Sequence, residues 1–576
     1  MNLNKKDIVR LLEEIALYLE IKGENPFRIS AYRKAAQALE RDVRSLNEID
    51  DFSTIDGIGK ATKEIIEEYI TTGSSSLLEE LQAEIPASLL PLLKLPGLGG
   101  KRVSTLYKEL NITDLASLKK ACEDGSILSL RGFGKKTVDN ILQAIDSFDT
   151  RPERLPIAYM LELAKRIEVF LEKIENIEAY TLAGSLRRME ETVKDIDFII
   201  ATEKPDKVTQ ELVQFESIKD VLAKGPTKVS LTLEDEYDVN VDFRLVSPEA
   251  YATTLHHFTG SKGHNVRMRQ LAKKQGEKIN EYGVTKEKTG ELLSFPTEEA
   301  FFQHFNLHYI PAELRQGTKE FQYFARNSAS QLLEEKDIKG DLHMHTTWSD
   351  GAHSIEEMVE AARSRNYDYI AITDHSKFLR VANGLDEKRL RQQREEIEAL
   401  REKYDDIHIF AGVEMDILPN GELDFSDEFL QEMDFVIAAI HSSFQQSQEE
   451  IHYRLQKACE NPYVHMIAHP TGRIIGRRQP YNVDVDWLIE LAKETKTALE
   501  LNANPMRFDL RPEFLEKASS QGVPIVINTD AHQTNTLHHM AYGVKVARKA
   551  WLKPEDIVNS WSIDKLKAFL VQKRGH

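Results

Sequence analysis

Residues 368–375 read DYIAITDH, a short apolar run that ends in two side chains able to serve a metal. A run this short between helical stretches is a strand buried on both faces. Six others share the pattern: IKGDLHMH (338–345), IHIFAGVE (407–414), DFVIAAIH (434–441), VHMIAHP (464–470), TALELNAN (497–504) and PIVINTDAH (524–532). Strand and helix alternate, which implies a parallel sheet, and polar groups gathered at C-terminal strand ends are the habit of a β/α barrel. The expectation is an α/β barrel of (β/α)7 type over residues 337–576.

Nine residues at or just beyond those strand ends are candidate ligands: His343, His345, Asp350, His375, Glu414, His441, His469, Asp530 and His532. A single histidine there is as often structural as functional. Nine on one rim exceed what one tetrahedral site needs and suit two or three ions of Zn²⁺ or Mn²⁺ type. Such a cluster points to phosphoester hydrolysis. Of the 18 histidines, 13 follow residue 330, and that last part of the chain is also the most acidic. Arg473, Arg477 and Arg478, in the loop after His469, are candidate phosphate clamps.

Upstream of the barrel, residues 179–202 (AYTLAGSLRRMEETVKDIDFIIAT) place Asp195 and Asp197 two apart in an apolar strand. Residues i and i+2 share a strand face, so the carboxylates converge, and that is costly without a cation between them. A third acid, Asp242, lies in DVNVDFRLV (238–246). Three carboxylates from paired strands make an oxygen-rich site suited to Mg²⁺. An acidic, aggregation-resistant sheet edge is the plainer reading. It leaves Gly184-Ser185, before the pair, without a purpose.

The first 150 residues repeat one motif three times: IDGIGKATKEII from Ile55, LPGLGGKRVSTL from Leu95 and LRGFGKKTVDNI from Leu130. Each has a Gly-apolar-Gly turn (Gly57/Gly59, Gly97/Gly99, Gly132/Gly134) opening an amphipathic helix. Free N–H groups at such a helix start can hold a phosphate oxygen. Lys60, Lys101, Arg102, Lys135 and Lys136 add positive charge nearby. One such turn is an ordinary helix corner, but three with basic residues at matching offsets favour DNA binding through the backbone.

Net charge is −19 over 576 residues, so DNA would be held by oriented amides more than by bulk charge. With 41% hydrophobic residues and 29% charged, several cores can form. No stretch approaches a membrane span, and the N-terminal residues read as an amphipathic helix rather than a leader. Cys122 and Cys459 match no metal or redox spacing, which favours a reducing cytoplasm.

The three turns resemble the helix-hairpin-helix module. Gly184-Ser185-Leu186-Arg187-Arg188, Asp195-x-Asp197, Asp242, His257-Phe258-Thr259-Gly260-Ser261, Asn265, Arg269 and the INEYGV segment at Ile279 resemble, in order, the family X (polymerase beta-like) DNA polymerases. The nine rim residues resemble the ligand set of the polymerase-and-histidinol-phosphatase (PHP) domain, with Asp374 as a supporting partner of the ligands. Together they resemble the bacterial and archaeal family X polymerases with a C-terminal PHP domain.

The resemblance implies a multidomain chain: all-α helix-hairpin-helix domains at 1–80 and 81–150, an α+β palm at 151–248, a nucleotide-selecting thumb at 249–317, a linker at 318–336 and the barrel at 337–576. It implies that Asp195, Asp197 and Asp242 hold two Mg²⁺ or Mn²⁺ ions, one at the primer 3′-hydroxyl and one at the triphosphate. Gly184, Ser185 and Arg188 would take the phosphates, while Phe258 and Gly260 would face the sugar. Asn265 would meet the incoming base and Arg269 the template. His257 stands where the animal enzyme has tyrosine. The implied partners are gapped or primer-template DNA and deoxynucleoside triphosphates, acted on by a monomer. The implied activities are gap filling in base-excision repair and a Mn²⁺-dependent 3′–5′ exonuclease, in some members with cleavage at abasic sites. A small-metabolite phosphatase anchored by its front half, or a non-catalytic DNA-end scaffold, are the rival readings.

Overall fold

The computed structural model describes residues 5–41, 49, 51–95, 98–130, 132–148, 153–328 and 331–575. It divides into two compact units, Met1–Pro152 and Glu153–His576.

The first unit is helical: α1 (Lys5–Lys22), α2 (Pro26–Arg41), α3 (Lys60–Thr72), α4 (Ser76–Glu84), α5 (Gly100–Leu110), α6 (Leu115–Glu123) and α7 (Lys135–Phe148). The three repeats share one hydrogen-bond pattern. The N–H groups of Ile58, Leu98 and Phe133 donate to the carbonyls of Ile55, Leu95 and Leu130 at 3.1, 3.1 and 3.2 Å. The carbonyls of Gly59, Gly99 and Gly134 then accept from Lys63, Val103 and Val138, opening α3, α5 and α7. In each turn the residue between the glycines is buried and pins the turn to the core.

In the second unit a five-stranded sheet comprises β1 (Ala179–Leu182), β2 (Ile196–Ala201), β3 (Ile218–Lys224), β4 (Lys228–Leu233) and β5 (Val239–Val246), in the order β1-β2-β5-β4-β3. Only β2 and β5 run parallel. Along β5 burial alternates strictly, with Val239, Val241, Phe243 and Leu245 in the core and Asp242 on the other face. The helices α8 (Ile157–Leu171), α9 (Gly184–Arg187), α10 (Pro205–Leu212), α11 (Pro248–Thr259) and α12 (Lys262–Lys274) flank or follow it.

Seven further strands are all parallel and adjacent in chain order: β6 (Gly340–Asp341), β7 (Tyr369–Ile372), β8 (His408–Asp416), β9 (Phe435–Ala439), β10 (Met466–Ile467), β11 (Ala498–Asn502) and β12 (Ile525–Asn528). A parallel bridge between Met344 and Ala531 brings the first strand back to the last, so the sheet nearly closes. Both strand faces are buried, Ile370 and Ile372 in one cluster and Tyr369 and Ala371 in another. This is the seven-strand parallel barrel that the alternating runs imply.

In the described residues 318–328 and 331–336, the segment expected as a linker is packed. Glu320–Phe324 is helical, Phe324 and Leu332 are fully buried, and Phe324 and Tyr323 lie against Trp551. Glu320 is buried, holding His264 Nδ1 at 3.1 Å and the N–H groups of Gly317 and Thr318.

Candidate functional site

The barrel rim gathers all nine expected residues. Three overlapping groups place their ligand atoms within 4.8 Å of one another: His345/Asp350/His375/His532, His343/His345/Asp530 and His375/Glu414/His441. Glu414 joins them, with its oxygens 2.8 Å from His375 Nδ1, 3.0 Å from His469 Nε2 and 3.3 Å from His441 Nε2. Asp530 Oδ1 lies 3.2 Å from His345 Nε2.

Close as they lie, several of these buried atoms make no hydrogen bond of good angle: both nitrogens of His345, His343 Nε2, His375 Nδ1, His469 Nδ1 and Glu414 Oε2. Buried polar atoms are almost always satisfied, so six unsatisfied ones within one cluster fit a site for cations. Burial, with His532 and His375 close by, pushes His345 down to about 3 and keeps it a neutral donor. His441 is held near 10 because Glu414 and Asp416 outweigh its burial. His469 and Asp530 sit at φ 28° and 53°, left-handed backbone that non-glycine residues adopt uncommonly.

A second layer orients these groups. Asp374 accepts from the N–H and hydroxyl of Thr346, the N–H and hydroxyl of Ser349, and Gln393 Nε2. It therefore fastens the loop carrying Asp350 and has no lone pair left for an ion. Glu500 accepts from His343 Nδ1 at 2.7 Å, from the His469 N–H at 2.6 Å and from Asn528. Asp416 faces His441 Nδ1 at 3.3 Å. Such partners fix imidazole orientation and basicity. Sequence reading missed Glu500 and Asp416, which lie within strands and look like strand acids.

The arginines after His469 do not line the rim as clamps. Arg473 is buried, forming a two-pronged pair with Glu191 at 2.7 and 3.0 Å and donating to Phe508 O. Arg478 stacks on Phe444, 4.1 Å from the ring centre, and donates to Gly472 O. Arg477 is exposed.

In the palm sheet Asp197 on β2 is the register partner of Asp242 on β5, and Asp195 lies just before β2. Burial, then Asp242 and Asp195, push Asp197 up to about 7. Asp242 accepts from Ser230 at 2.6 Å and pairs with Lys228 at 2.8 Å. Sequence reading passed over Lys228 and Ser230, because their role depends on β4 pairing with β5. Three carboxylates are a donor set for hard, oxygen-seeking cations. Among the described residues they do not approach one another as closely as the rim groups do.

Gly184, at φ 64°, presses against this cluster: a Cβ there would lie 2.3 Å from Asp197 Oδ2. Ser185 follows on α9 and Arg188 comes just after it, where its Nη1 reaches the carbonyl of Thr259, beside Gly260. Arg187 bonds Thr259 Oγ1 and Glu298, which Arg315 also grips. Burial raises Glu298, but Arg315 and Arg187 prevail and hold it at about 2. His257 and Phe258 lie edge to face on α11, and the Arg244 guanidinium covers the Phe258 ring at 4.7 Å. Asn265 Nδ2 donates to His257 O at 2.8 Å, while its buried Oδ1 has no partner. Arg269 is exposed on α12. The expected nucleotide-binding residues therefore share one stretch of surface around α9 and α11.

In the helical unit, a side chain at Gly59, Gly99 or Gly134 would meet nothing within 4 Å, so internal packing does not demand glycine there. Gly57 (φ 104°) and Gly132 (φ 95°) do need it for their backbone. Gly97 lies outside the described residues. Lys60, Lys101 and Lys135 are exposed beside the turns. The second turn differs, because the Gly100 N–H already donates to Glu20 at 3.2 Å.

These parts define a class: helix-hairpin-helix units and a polymerase beta-like nucleotidyltransferase joined to a PHP-type barrel. Family comparison agrees. Residues 3–75 match a helix-hairpin-helix domain, 89–147 a SAM-like helix-hairpin-helix tandem, 254–316 the DNA polymerase beta thumb and 341–504 the PHP domain. The chain is 55% identical, over 568 residues and 99% of each chain, to the DNA polymerase/3′-5′ exonuclease PolX of Bacillus subtilis (strain 168). It belongs to the PolX family. It is also 27% and 29% identical, over 41% of its length, to probable phosphatases of Caldanaerobacter subterraneus subsp. tengcongensis and Thermoanaerobacter sp. (strain X514), covering 91% and 95% of those chains. No helix among the described residues is long and apolar enough to cross a membrane.

Proposed function

We propose that this chain is a DNA-directed DNA polymerase that fills short gaps during repair and also removes 3′-terminal nucleotides through its barrel. One observation carries the polymerase half: Asp197 and Asp242 are paired in register, with a glycine turn pressed on Asp197 and Arg188 beside it. A structural anchor has no need of that arrangement.

In this reading Asp195, Asp197 and Asp242 hold two Mg²⁺ or Mn²⁺ ions, and the nine rim residues hold two or three of Mn²⁺ or Zn²⁺ type. Bound divalent ions neutralise phosphoryl charge and polarise the bond that breaks. The chain supplies the positioning. Ser185 and Arg188 take the triphosphate, whose negative charge suits a half-buried guanidinium. Phe258, stiffened by Arg244, and the bare backbone at Gly260 face the sugar, with His257 alongside. Asn265 offers its unpartnered Oδ1 to the base edge, and Arg269 reaches the template. At the rim, Glu500, Asp416 and Asp374 hold imidazoles and loops still, so little reorganisation accompanies reaction. A cytoplasmic setting goes with two buried, unpaired cysteines. Gapped duplex DNA supplied with Mn²⁺ tests the whole reading: extension with nucleotides and 3′ digestion without them are expected, and neither activity would overturn it.

The phosphatase-like relatives favour a second reading of the barrel alone, as a hydrolase of small phosphomonoesters. Comparable turnover of a nucleoside monophosphate and of a DNA 3′ end would favour it.

The helix-hairpin-helix turns should bind DNA by shape. Gly99→Val and Gly134→Val enter open space, so folding should survive while affinity for gapped DNA falls roughly tenfold, the size of one lost charge-assisted contact. The loss should be equal across sequences and the affinity should fall with salt. A fluorescence-anisotropy titration that shows unchanged affinity, or a loss confined to one sequence, contradicts this role.

Lyase chemistry at an incised abasic site is expected to be weak. A Schiff base needs an amine of lowered pKa, and Ile65, buried, stands where the animal enzyme's lysine would align. Lys63 is bonded to Asp51 at 2.8 Å, which raises rather than lowers its pKa. Lys34, which sequence reading did not single out, lines a cleft with Phe27, Ser30 and the Gly57–Gly59 turn. Efficient borohydride trapping, lost on Lys34→Ala or Lys60→Ala, would show that a displaced lysine does this work.

A further inference from the structure

The stretch Arg188–Glu191 leaves the nucleotide-phosphate turn and is gripped from outside the palm. Lys549, at the end of the barrel helix His539–Lys549, donates to the carbonyls of Arg188 and Met189 at 3.2 and 3.1 Å. Its ammonium also lies 3.3 Å from Glu190 Oε1. Met189 is buried at φ 55°, a conformation a non-glycine residue keeps only when its surroundings impose it. Two residues on, Glu191 takes both prongs of Arg473, which stands four residues after the rim histidine His469. Around these contacts lies an open cleft of about 640 Å³, bordered by Arg154, Glu313, Arg511 and Glu516. The grip is therefore made by a few charged contacts beside water, at the base of the loop that carries Arg188.

We infer that Lys549 and Arg473 of the barrel are positioning residues for the polymerase, holding the Arg188–Glu191 stretch so that Arg188 meets the nucleotide phosphates. Lys549 satisfies two carbonyls that the left-handed turn at Met189 leaves pointing away from the palm. Without it the turn can relax, and Arg188, which is tied to Thr259 O by one hydrogen bond, loses its fixed base. The effect falls on nucleotide binding, because neither residue approaches the aspartates. The inference rests on the polymerase reading of Ser185 and Arg188.

The test is steady-state extension of a one-nucleotide gap by the full chain carrying Lys549→Met, which keeps the stem and removes the donors. The expected result is a KM for the nucleotide raised about tenfold, as when a charge-assisted hydrogen bond is lost, with kcat within about twofold of the parent. Lys549→Arg should restore part of the difference, and digestion of the same DNA without nucleotides should be unchanged. An unchanged KM overturns the inference, as does a loss of kcat with KM intact. Should Lys549→Met lose both activities through misfolding, Glu191→Gln weakens the same grip from the palm side and must raise KM in the same way. A parent chain that never extends the primer defeats the polymerase reading instead, so the two failures are distinguishable.

Discussion

With Asp195 and Asp197 both replaced by alanine, primer extension should fall a thousandfold or more while 3′ digestion continues at the parent rate. Removing the carboxylates takes away the seat for cations that supply several kcal/mol to phosphoryl transfer, and about 1.4 kcal/mol is tenfold in rate. His343→Ala with His345→Ala should do the reverse, abolishing digestion and leaving extension. Metal analysis gives an independent readout. The rim holds imidazoles and buried orphaned atoms that suit transition ions, whereas the palm offers carboxylates alone. Palm variants should therefore keep most of the tightly bound metal after exposure to Mn²⁺ or Zn²⁺, and rim variants should lose it. Extension by the palm variant would show that synthesis uses other residues. Normal digestion by the rim variant would place the nuclease elsewhere.

The rim was legible because barrel chemistry sits at strand ends, where an apolar run breaks off into His, Asp or Glu. Eight of the nine residues carry that mark, and Asp350, five positions past His345, joins them at the rim. The supporting layer was not legible: Glu500 interrupts β11, Asp416 comes two residues after Glu414, which already marks that strand end, and only the barrel turns them toward His343 and His441. Asp195, Asp197 and Asp242 could be found from period-two spacing, but Lys228 and Ser230 could not. Their contact with Asp242 depends on β4 pairing with β5, a register decided by tertiary packing. Arg473 shows the opposite error. A basic residue just after a ligand histidine suggests a phosphate clamp, yet its partner, Glu191, is 282 positions away in the palm. The 318–336 stretch, expected as a linker, holds Glu320, whose burial depends on His264, 56 positions away in the chain.

Gly184→Ala should silence synthesis as effectively as loss of an aspartate, although the methyl touches no substrate. The added Cβ would stand 2.3 Å from Asp197 Oδ2, closer than real Cβ contacts come, and a tight 3.2 Å from its Cγ. Its φ of 64° is also unfavourable for alanine by roughly 1–2 kcal/mol. Relief must come from one of two movements. Either Asp197 turns away from Asp242, its register partner, or the Gly184 turn withdraws and takes Ser185 and Arg188 with it. A displacement of about 1 Å in reacting groups costs on the order of a hundredfold, and here either movement spoils one half of the site. Extension should thus drop at least that far, while the melting temperature of the unit Glu153–His576 falls by only about 1–2 °C. Digestion by the rim should be untouched. Gly59→Ala is the matched control, since its Cβ meets nothing and extension on saturating DNA should survive it. An alanine at position 184 that extends primers at close to the parent rate would mean that Asp197 is free to move without penalty. The carboxylate could not then be a fixed element of the polymerase site.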